Sequence, residues 1–550
     1  MKGLSIHPVT ATILSIRGIT SCEAAAAFLA PKLSDMIDPA LLMGMSTAVD
    51  RLMQARKRQE SLCIYGDYDV DGIAGTSLLV SFLRASGFTC SYFIPNRFND
   101  GYGLNREAIE RIHATGFRLI VTVDCGITAV NEAQFCHEQG IDLIIVDHHI
   151  PGELVPNAVA IVNPLQVGCN YPFKSLAGVG VAFNLLIALR RALREDGQFA
   201  AGGEPDLREY LDLVAMGTIA DVVPLIGQNR MYAIHGLRQI SVSAKPGILA
   251  LKQVAGITGD VSCGQVGFRL APRLNAAGRI ESAVPGVELL LSDNKNEAMT
   301  IATELDAANT ERQAIERSIF SEAIKMLEDS EDYLIKRSIV LASETWHQGV
   351  IGIVASRMVE RYHRPTLLIA ITDDGMAKGS GRSIPGFHLL DALSSCATLL
   401  ERFGGHQYAA GVTLAAGNIA AFAEIFEIEA SKRLTEEDLL PQLCIDSEVK
   451  AGDVTAELAL ELKRLGPFGS GNPEPVLLMR AVKVIEQRVV GEGHLRLRLS
   501  CDRYLFNAIA FRMAGKGLQG VIDIAFFPEL NEWNGKTSLQ LRIKDIRPAE

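Results

Sequence analysis

Short, continuous apolar runs alternate with stretches of helical periodicity through the first half of the chain. LCIY (residues 62–65), RLIVTV (118–123) and DLIIV (142–146) place apolar residues at successive positions, as strands buried on both faces do. Residues 73–85 and 128–139 have the spacing of helices, with Gly87 and Gly140 where each would stop. Such alternation predicts βαβ units and a mostly parallel sheet. Residues 194–206 predict a surface loop, and 208–222 a helix rich in Leu and Val.

Neither Gly nor Pro occurs from residue 287 to residue 348. Within that span, residues 294–330 predict one long helix with Leu305, Ile315, Ile319, Ala323 and Met326 near one face. It would span roughly 55 Å, a length suited to bridging domains. A second α/β pattern follows, with strands RSIVLA (337–342) and TLLIAI (366–371) and a helix over 351–361 between them. Two glycine-rich stretches come next, GSGRS (379–383) and FGGHQYAAG (403–411). After GPFGSGNPEP (466–475), five strand-like runs near 476–490, 494–500, 504–511, 521–527 and 538–546 predict a small β-barrel of the OB type. The first 45 residues mix short helical patterns with turns and predict no role.

Composition adds limits. A chain of 550 residues exceeds one core, and three or four domains are expected. The N-terminal MKGLSIHPVTATILSIRG has no sustained apolar core, so no signal peptide is read. No uncharged apolar run of about 18 residues occurs, so no membrane span is expected. The 10 cysteines form no C-x-x-C pair, which excludes a zinc ribbon and fits a cytoplasmic chain with reduced thiols. A net charge of −11 argues against coating the chain with nucleic acid through bulk charge. It leaves room for a nucleic-acid enzyme that concentrates its acids at one site.

That concentration is visible. Each of the three early strands is followed at once by acid: Asp67, Asp69 and Asp71 in YGDYDVDG, Asp124 in TVDCGIT, and Asp147 before His148 and His149. Open parallel sheets bind ligands at the carboxyl ends of their strands, so these groups should gather at one edge. Asp221 in GTIADVVPL follows a helical stretch. Any one of these aspartates reads equally well as a helix cap or a turn residue. As a set, they repel one another unless cations neutralise them. Carboxylates with imidazole suit manganese as well as magnesium. Adjacent histidines on an extended chain point to opposite sides, so one of the two should face the site. Two cations sharing a carboxylate can activate water and stabilise a leaving oxygen, which points to phosphate-ester hydrolysis.

In order, YGDYDVDG, VDCG, DHH and the Asp of GTIADVVPL resemble the four metal-binding motifs of the DHH phosphoesterase family. RLNAAGR (273–279), GSGRS, FGGHQYAAG and PFGSGNPEP resemble further motifs of that family's single-stranded-DNA exonuclease branch. The resemblance runs from about residue 48 to the end. It implies Asp69, Asp71, Asp124, His148 and Asp221 as ligands of two divalent cations, Mn²⁺ or Mg²⁺, with Asp124 bridging. Asp67 and His149 are implied as ligands or as catalytic partners beside them, and Arg279 as a contact to the scissile phosphate. Arg97, Ser380 and Arg382 resemble the group that receives a 5′ phosphate. His406 resembles a residue of the DHH-associated substrate-binding domain. The implied activity is 5′-to-3′ hydrolysis of single-stranded DNA to mononucleotides, in DNA repair and recombination. A helicase and a single-strand-binding protein are the partners it implies.

Trp346 and His347 in ETWHQGVIG would either contact a base or, for Trp346, pack in a core. Arg496 and Arg498 share one face of a strand and would either track a DNA backbone or form a solvated face. Arg56, Lys57 and Arg58 read as a polar helix face. A smaller-substrate phosphoesterase and a non-catalytic scaffold are the rivals. The barrel argues against the first, and the complete set of acids and histidines against the second. The expected architecture is a monomer without membrane partners. It has an N-terminal segment (1–47), a parallel-sheet α/β catalytic DHH domain (48–240) and a helical connector (241–335). An α/β DHH-associated domain (336–440) and an OB-like nucleic-acid-binding domain (441–550) follow.

Overall fold

The computed structural model describes residues 4–549 apart from 98, 99, 102, 331, 332, 516, 517, 519 and 534. Strands β1 (Leu62–Gly66), β2 (Cys90–Phe93), β3 (Leu119–Val123), β4 (Asp142–Val146) and β5 (Ala160–Val162) form a sheet ordered β2-β1-β3-β4-β5, parallel throughout. The three apolar runs of the sequence are its central strands. Every residue of β1 and β3 is buried, because helices cover both faces. Val70–Ala85, Gly178–Glu195 and Leu211–Ala220 lie over one face, and Arg106–Ala114 and Val130–Glu138 over the other. Each Ile or Val so buried contributes roughly 1.5–3 kcal/mol. Strand order reverses between β1 and β3, so the chains leaving these two strands diverge and open a crevice at the carboxyl edge.

Short helices then lead into the helix Lys295–Glu328, whose 34 residues span about 51 Å. Its buried stripe is Ala298, Ala302, Leu305, Asn309, Arg312, Glu316, Ile319, Ala323 and Leu327. The stripe differs slightly from the expected face, since Ile315 and Met326 flank it. Three of its middle positions are polar, so apolar residues alone do not trace it. Beyond the helix, β6 (Ile339–Ser343), β7 (Thr366–Ile371), β8 (Met376–Arg382), β9 (Arg402–Gly405) and β10 (Ala409–Ala415) form a mixed sheet ordered β6-β7-β8-β10-β9.

The C-terminal unit adds the short β11 (Ser447–Glu448) to β12 (Leu477–Val490), β13 (His494–Cys501), β14 (Tyr504–Ala510), β15 (Val521–Trp533) and β16 (Lys536–Pro548). The order β12-β13-β14-β16-β15 closes through a β12–β15 pairing into a five-stranded barrel. The first part of the N-terminal segment packs with it, whereas Leu33, Met36, Ile37 and Leu42 pack on the catalytic core. Val9, Ile13, Leu14 and Ala25 lie in the barrel's own core cluster. Glu461 accepts from the His7 N–H at 2.9 Å and from Thr10 Oγ1 at 2.8 Å. No local pattern reveals a contact made across some 450 residues. Among the described residues, no helix is long and apolar enough to cross a membrane.

Candidate metal centre and its basic cleft

The chain leaves β1 and turns directly into the helix Val70–Ala85. Asp69 caps that helix, accepting from the N–H groups of Asp71 at 2.9 Å and Gly72 at 3.1 Å. Asp71 accepts from Gly178 N–H at 2.6 Å and Val179 N–H at 2.9 Å, at the start of the helix Gly178–Glu195, where the helix dipole favours an anion. Close approach requires glycine here, since a Cβ on Gly217 would lie 2.6 Å from Asp71 Oδ1 and one on Gly178 2.7 Å from Asp124 Oδ1. Asp124 follows β3 with φ +65°, a conformation that Asp tolerates better than most residues. Asp221 caps the C-terminus of the helix Leu211–Ala220.

After β4, Asp147 accepts from the N–H groups of Ile127 at 2.9 Å, His148 at 2.7 Å and His149 at 3.1 Å, and pairs with His149 Nδ1 at 2.7 Å. Burial would raise the Asp147 carboxyl, but His149 and these donors hold it below its usual range. Burial likewise opposes the charged form of His149, yet Asp147 outweighs it and pushes the imidazole up to about 9. His148 goes the other way: burial and the neighbouring His149 push it down to about 4. Its Nε2 points into the carboxylates, 3.1 Å from Asp124 Oδ1, 3.6 Å from Asp221 Oδ2 and 3.9 Å from Asp71 Oδ2. None of these approaches has hydrogen-bond geometry. With the imidazole neutral and its proton assigned to the nitrogen facing the Leu176 backbone, a lone pair faces lone pairs.

A cation resolves that repulsion. Asp67 Oδ1, Asp124 Oδ1 and His148 Nε2 are all buried without a hydrogen-bond partner. A buried polar atom left so costs on the order of 1–3 kcal/mol. Ligand atoms of Asp67, Asp69 and Asp124 lie within 4.8 Å of one another, as do those of Asp71, His148 and Asp221 and those of Asp124, His148 and His149. Asp124 is common to two of these sets and His148 to two. Hard oxygens with imidazole in adjacent sets fit two Mn²⁺ or Mg²⁺ ions. Without them, burial and then neighbouring carboxylates push Asp67 and Asp124 well above the carboxylate range, Asp71 to about 7 and Asp221 to about 9.

Beside the acids stands a group of arginines. Burial, then the charges of Arg97, Arg312 and Arg382, push Arg279 down to about 10, with Asp69 opposing. Arg97 lies over the Tyr68 ring at 5.3 Å. Arg382 on β8 donates to Ser380 Oγ at 3.2 Å, and a Cβ on Gly352 would lie 2.7 Å from that oxygen. The structure therefore brings Arg97, Arg279 and Arg382 into one electrostatic neighbourhood, although they come from distant parts of the chain. A cleft of about 1080 Å³ extends from Arg279 past Arg312, Arg317, Arg357 and Arg361 to Arg512 of the barrel, with Glu316 and Glu360 as its acids. Phe268 lines it too and is 86% exposed, on a π-helical turn (Val266–Leu270) that packs beside Ile219. Arg312, Phe268 and Arg512 were missed in the sequence. The one legible sign was a charged Arg312/Glu316 pair four residues apart in the middle of the long helix.

Other expected residues fall differently. Trp346 is a correction: only 4% exposed, it packs among Ile319, Val350 and Met358 and offers no face for a base. His347 is half-buried near Arg279, its Nδ1 accepting from Gly349 N–H at 3.1 Å. His406 is exposed between β9 and β10 and is not part of the carboxylate cluster. Arg496 and Arg498 are exposed on β13. Arg56 binds Ser86 O at 2.9 Å and Lys57 pairs with Asp196 at 2.9 Å, as a structural helix face would.

Three family descriptions match the chain: the DHH family N-terminal domain over residues 61–218, the DHHA1 domain over 333–432 and the RecJ OB domain over 445–545. The single-stranded-DNA-specific exonuclease RecJ of Bacillus subtilis is 42% identical over 556 residues, covering 100% of this chain and 69% of the relative. That of Escherichia coli is 40% identical, covering 99% of this chain and 96% of the relative. The crystal structure of RecJ with Mn²⁺ from Thermus thermophilus superposes with a TM-score of 0.86 at 33% identity, covering 100% of this chain and 77% of that one. A Mg²⁺ complex of the same protein matches with a TM-score of 0.80, at 32% identity and with 100% and 76% covered.

Proposed function

Because the chain belongs to the RecJ family of DHH phosphoesterases, we propose a division of labour for its residues in degrading single-stranded DNA. The protein is a hydrolase, a single-stranded-DNA-specific exonuclease that uses Mn²⁺ or Mg²⁺. Asp69, Asp71, Asp124, His148 and Asp221 would hold two cations, with Asp124 serving as the shared ligand. Bound there, the cations supply Lewis-acid stabilisation of the phosphate and activation of water. Asp67 and His149 complete the site, and Asp147 fixes the orientation of His149. Arg279 places positive charge where the phosphate gains negative charge. Arg97, Ser380 and Arg382 receive a terminal 5′ phosphate, a task suited to guanidinium forks. This assignment gives 5′-to-3′ polarity and mononucleotide products.

The observation that carries this reading is the pair of ligand sets sharing Asp124 at the end of an arginine-lined cleft. The cleft directs the remaining strand towards Arg512 and the barrel, where Arg496 and Arg498 extend the basic surface. Domain boundaries near residues 48, 240, 335 and 440, a monomer, a cytoplasmic location and work beside a helicase and a single-strand-binding protein complete the proposal. The test follows a 5′-phosphorylated, 3′-labelled single strand with Mn²⁺, Mg²⁺ or EDTA. Stepwise loss from the 5′ end that EDTA abolishes is expected. Cleavage confined to dinucleotides or pyrophosphate, or blunt duplex cut as fast as single strands, would overturn the reading.

A further inference from the structure

We infer that the glycine-rich loop at residues 466–475, rooted in the barrel, positions the metal ligand Asp221. The inference rests on the assignment of Asp221 to the metal centre. Asp221 differs from its partners, for Asp67, Asp69, Asp71 and Asp124 stand just past the ends of β1 and β3, at the carboxyl edge of the sheet. Asp221 ends a helix and is followed by Val222 at φ +60°. A β-branched residue in that region is strained, and such strain persists only where the surroundings enforce it. Val222 itself is 68% exposed, so its side chain does not supply the restraint.

The restraint comes from the residues that follow. Leu225 N–H donates to Ser470 O at 2.7 Å. The loop approaches so closely that a Cβ on Gly469 would lie 2.8 Å from Leu225 Cδ1, and one on Gly471 2.8 Å from Pro224 Cβ. Pro224 O accepts from Asn229 Nδ2 at 3.1 Å, and the same amide reaches Ser175 O, just before the helix that holds Asp71. Segment 222–226 is therefore clamped between the catalytic domain and the loop.

The loop is itself rigid. Asn472, 1% exposed, donates to Leu465 O and Pro467 O at 2.9 Å each and accepts from Arg17 at 2.5 Å. Phe468 packs edge-on against Phe527 of the barrel at 5.9 Å. Arg230, from the catalytic domain, reaches Gly466 O and donates to Arg464 O at 3.1 Å. A device with one firm end in the barrel and one against segment 222–226 transmits the barrel's position to Asp221. Groups that orient ligands commonly matter about 10–100-fold in metal affinity.

The test substitutes Gly471→Ala and compares it with Gly493→Ala. Both glycines have positive φ, but a Cβ on Gly493 meets open space. Mn²⁺ binding is read by the electron paramagnetic resonance of free Mn²⁺, alongside melting temperature and the Mn²⁺ dependence of cleavage. Gly471→Ala should weaken Mn²⁺ binding about tenfold, with cleavage restored at saturating Mn²⁺ and melting close to that of Gly493→Ala. Gly469→Ala, which pushes only on a leucine tip, should show a smaller shift and is read if Gly471→Ala does not fold. Asp221→Asn should lose the same binding step, and adding Gly471→Ala should then cost nothing more. Wild-type-like Mn²⁺ binding in a folded loop variant would overturn the inference. Failure of the wild type to bind Mn²⁺ would instead overturn the metal-centre assignment beneath it.

Discussion

Asp124→Asn tests the metal centre most directly, because the change keeps shape and removes one charge. Asp124 is buried, has an unpartnered Oδ1, and is common to two ligand sets. In chelator, the wild type confines several carboxylates with raised proton affinities, so removing one relieves repulsion. The variant should then be more stable than the wild type by about 1–3 kcal/mol, the scale of one unsatisfied buried group. Cations reverse the order. At a hundredfold excess over Kd, each site adds about 2.7 kcal/mol, so two filled sites add about 5 kcal/mol. At roughly 2–4 °C per kcal/mol for a domain of this size, the wild type should melt about 10–20 °C higher in Mn²⁺ than in EDTA. The variant should show less than half that rise, and its cleavage should fall by at least about a hundredfold, beyond the usual cost of disturbing a ligand's support. Thermal scans of protein stripped of metal, with and without Mn²⁺, read both effects. A variant stabilised by Mn²⁺ as strongly as the wild type, or less stable than it in EDTA, would refute the shared-ligand argument.

Phe268→Ala should raise KM for single-stranded DNA about 5–50-fold through lost base stacking, leaving kcat and melting nearly unchanged because the ring is 86% exposed. An unaltered KM would remove Phe268 from the strand's path. Glu316 accepts from Arg312 at 2.5 Å and forms an ion pair with Arg357 at 2.6 Å within the interface between the long helix and the second α/β unit. Glu316→Ala should cost about 3–5 kcal/mol in unfolding experiments by stranding Arg312, and a loss under 1 kcal/mol would show that the pair is not held as drawn. Asp71 and Asp221 are raised, to about 7 and about 9, so without cations their folded forms bind protons more tightly than the unfolded chain does. Chelated protein should therefore lose stability as pH rises from 5 to 8, with saturating Mn²⁺ flattening the trend; a chelated protein that gains stability over that range would contradict the raised values.

The sheet was legible because burial on both faces leaves an unambiguous mark. LCIY, RLIVTV and DLIIV have nowhere polar to point, and each is a central strand. The placement of the acids followed from topology: once β1 and β3 are neighbours on opposite sides of a strand-order reversal, Asp67 and Asp124 must meet. The barrel was legible from five spaced strand runs, and its boundaries moved little except where β15 and β16 run on to form a longer hairpin. His148 and His149 were separable in principle by alternation, but which one turned inward depended on Asp147, whose four hydrogen-bond contacts no local pattern shows. Trp346 failed for the opposite reason. An aromatic beside a histidine and a glycine turn fits a stacking platform as well as a core, and only the long helix packed against it decides.

What stayed hidden is the joining of distant segments, and it is hidden for a physical reason. Periodicity reports which face of an element is apolar, whereas the contacts that unite these domains are polar or backbone contacts. Arg230 gathers carbonyls from residues 28, 464 and 466; Glu461 caps the first N-terminal helix; Ser470 O accepts a hydrogen bond from Leu225 N–H. A glycine in such a place marks the absence of a side chain, and the sequence cannot say what fills the space. Gly349 shows this. A Cβ there would collide with Arg279 O, so the second α/β unit meets the helical connector backbone to backbone at the arginine proposed to touch the scissile phosphate. The same economy recurs at Gly178 and Gly217 around the acids and at Gly469 and Gly471 behind Asp221. Glycines that look like turns in the sequence therefore mark where separate parts of the chain are drawn close enough to share one site.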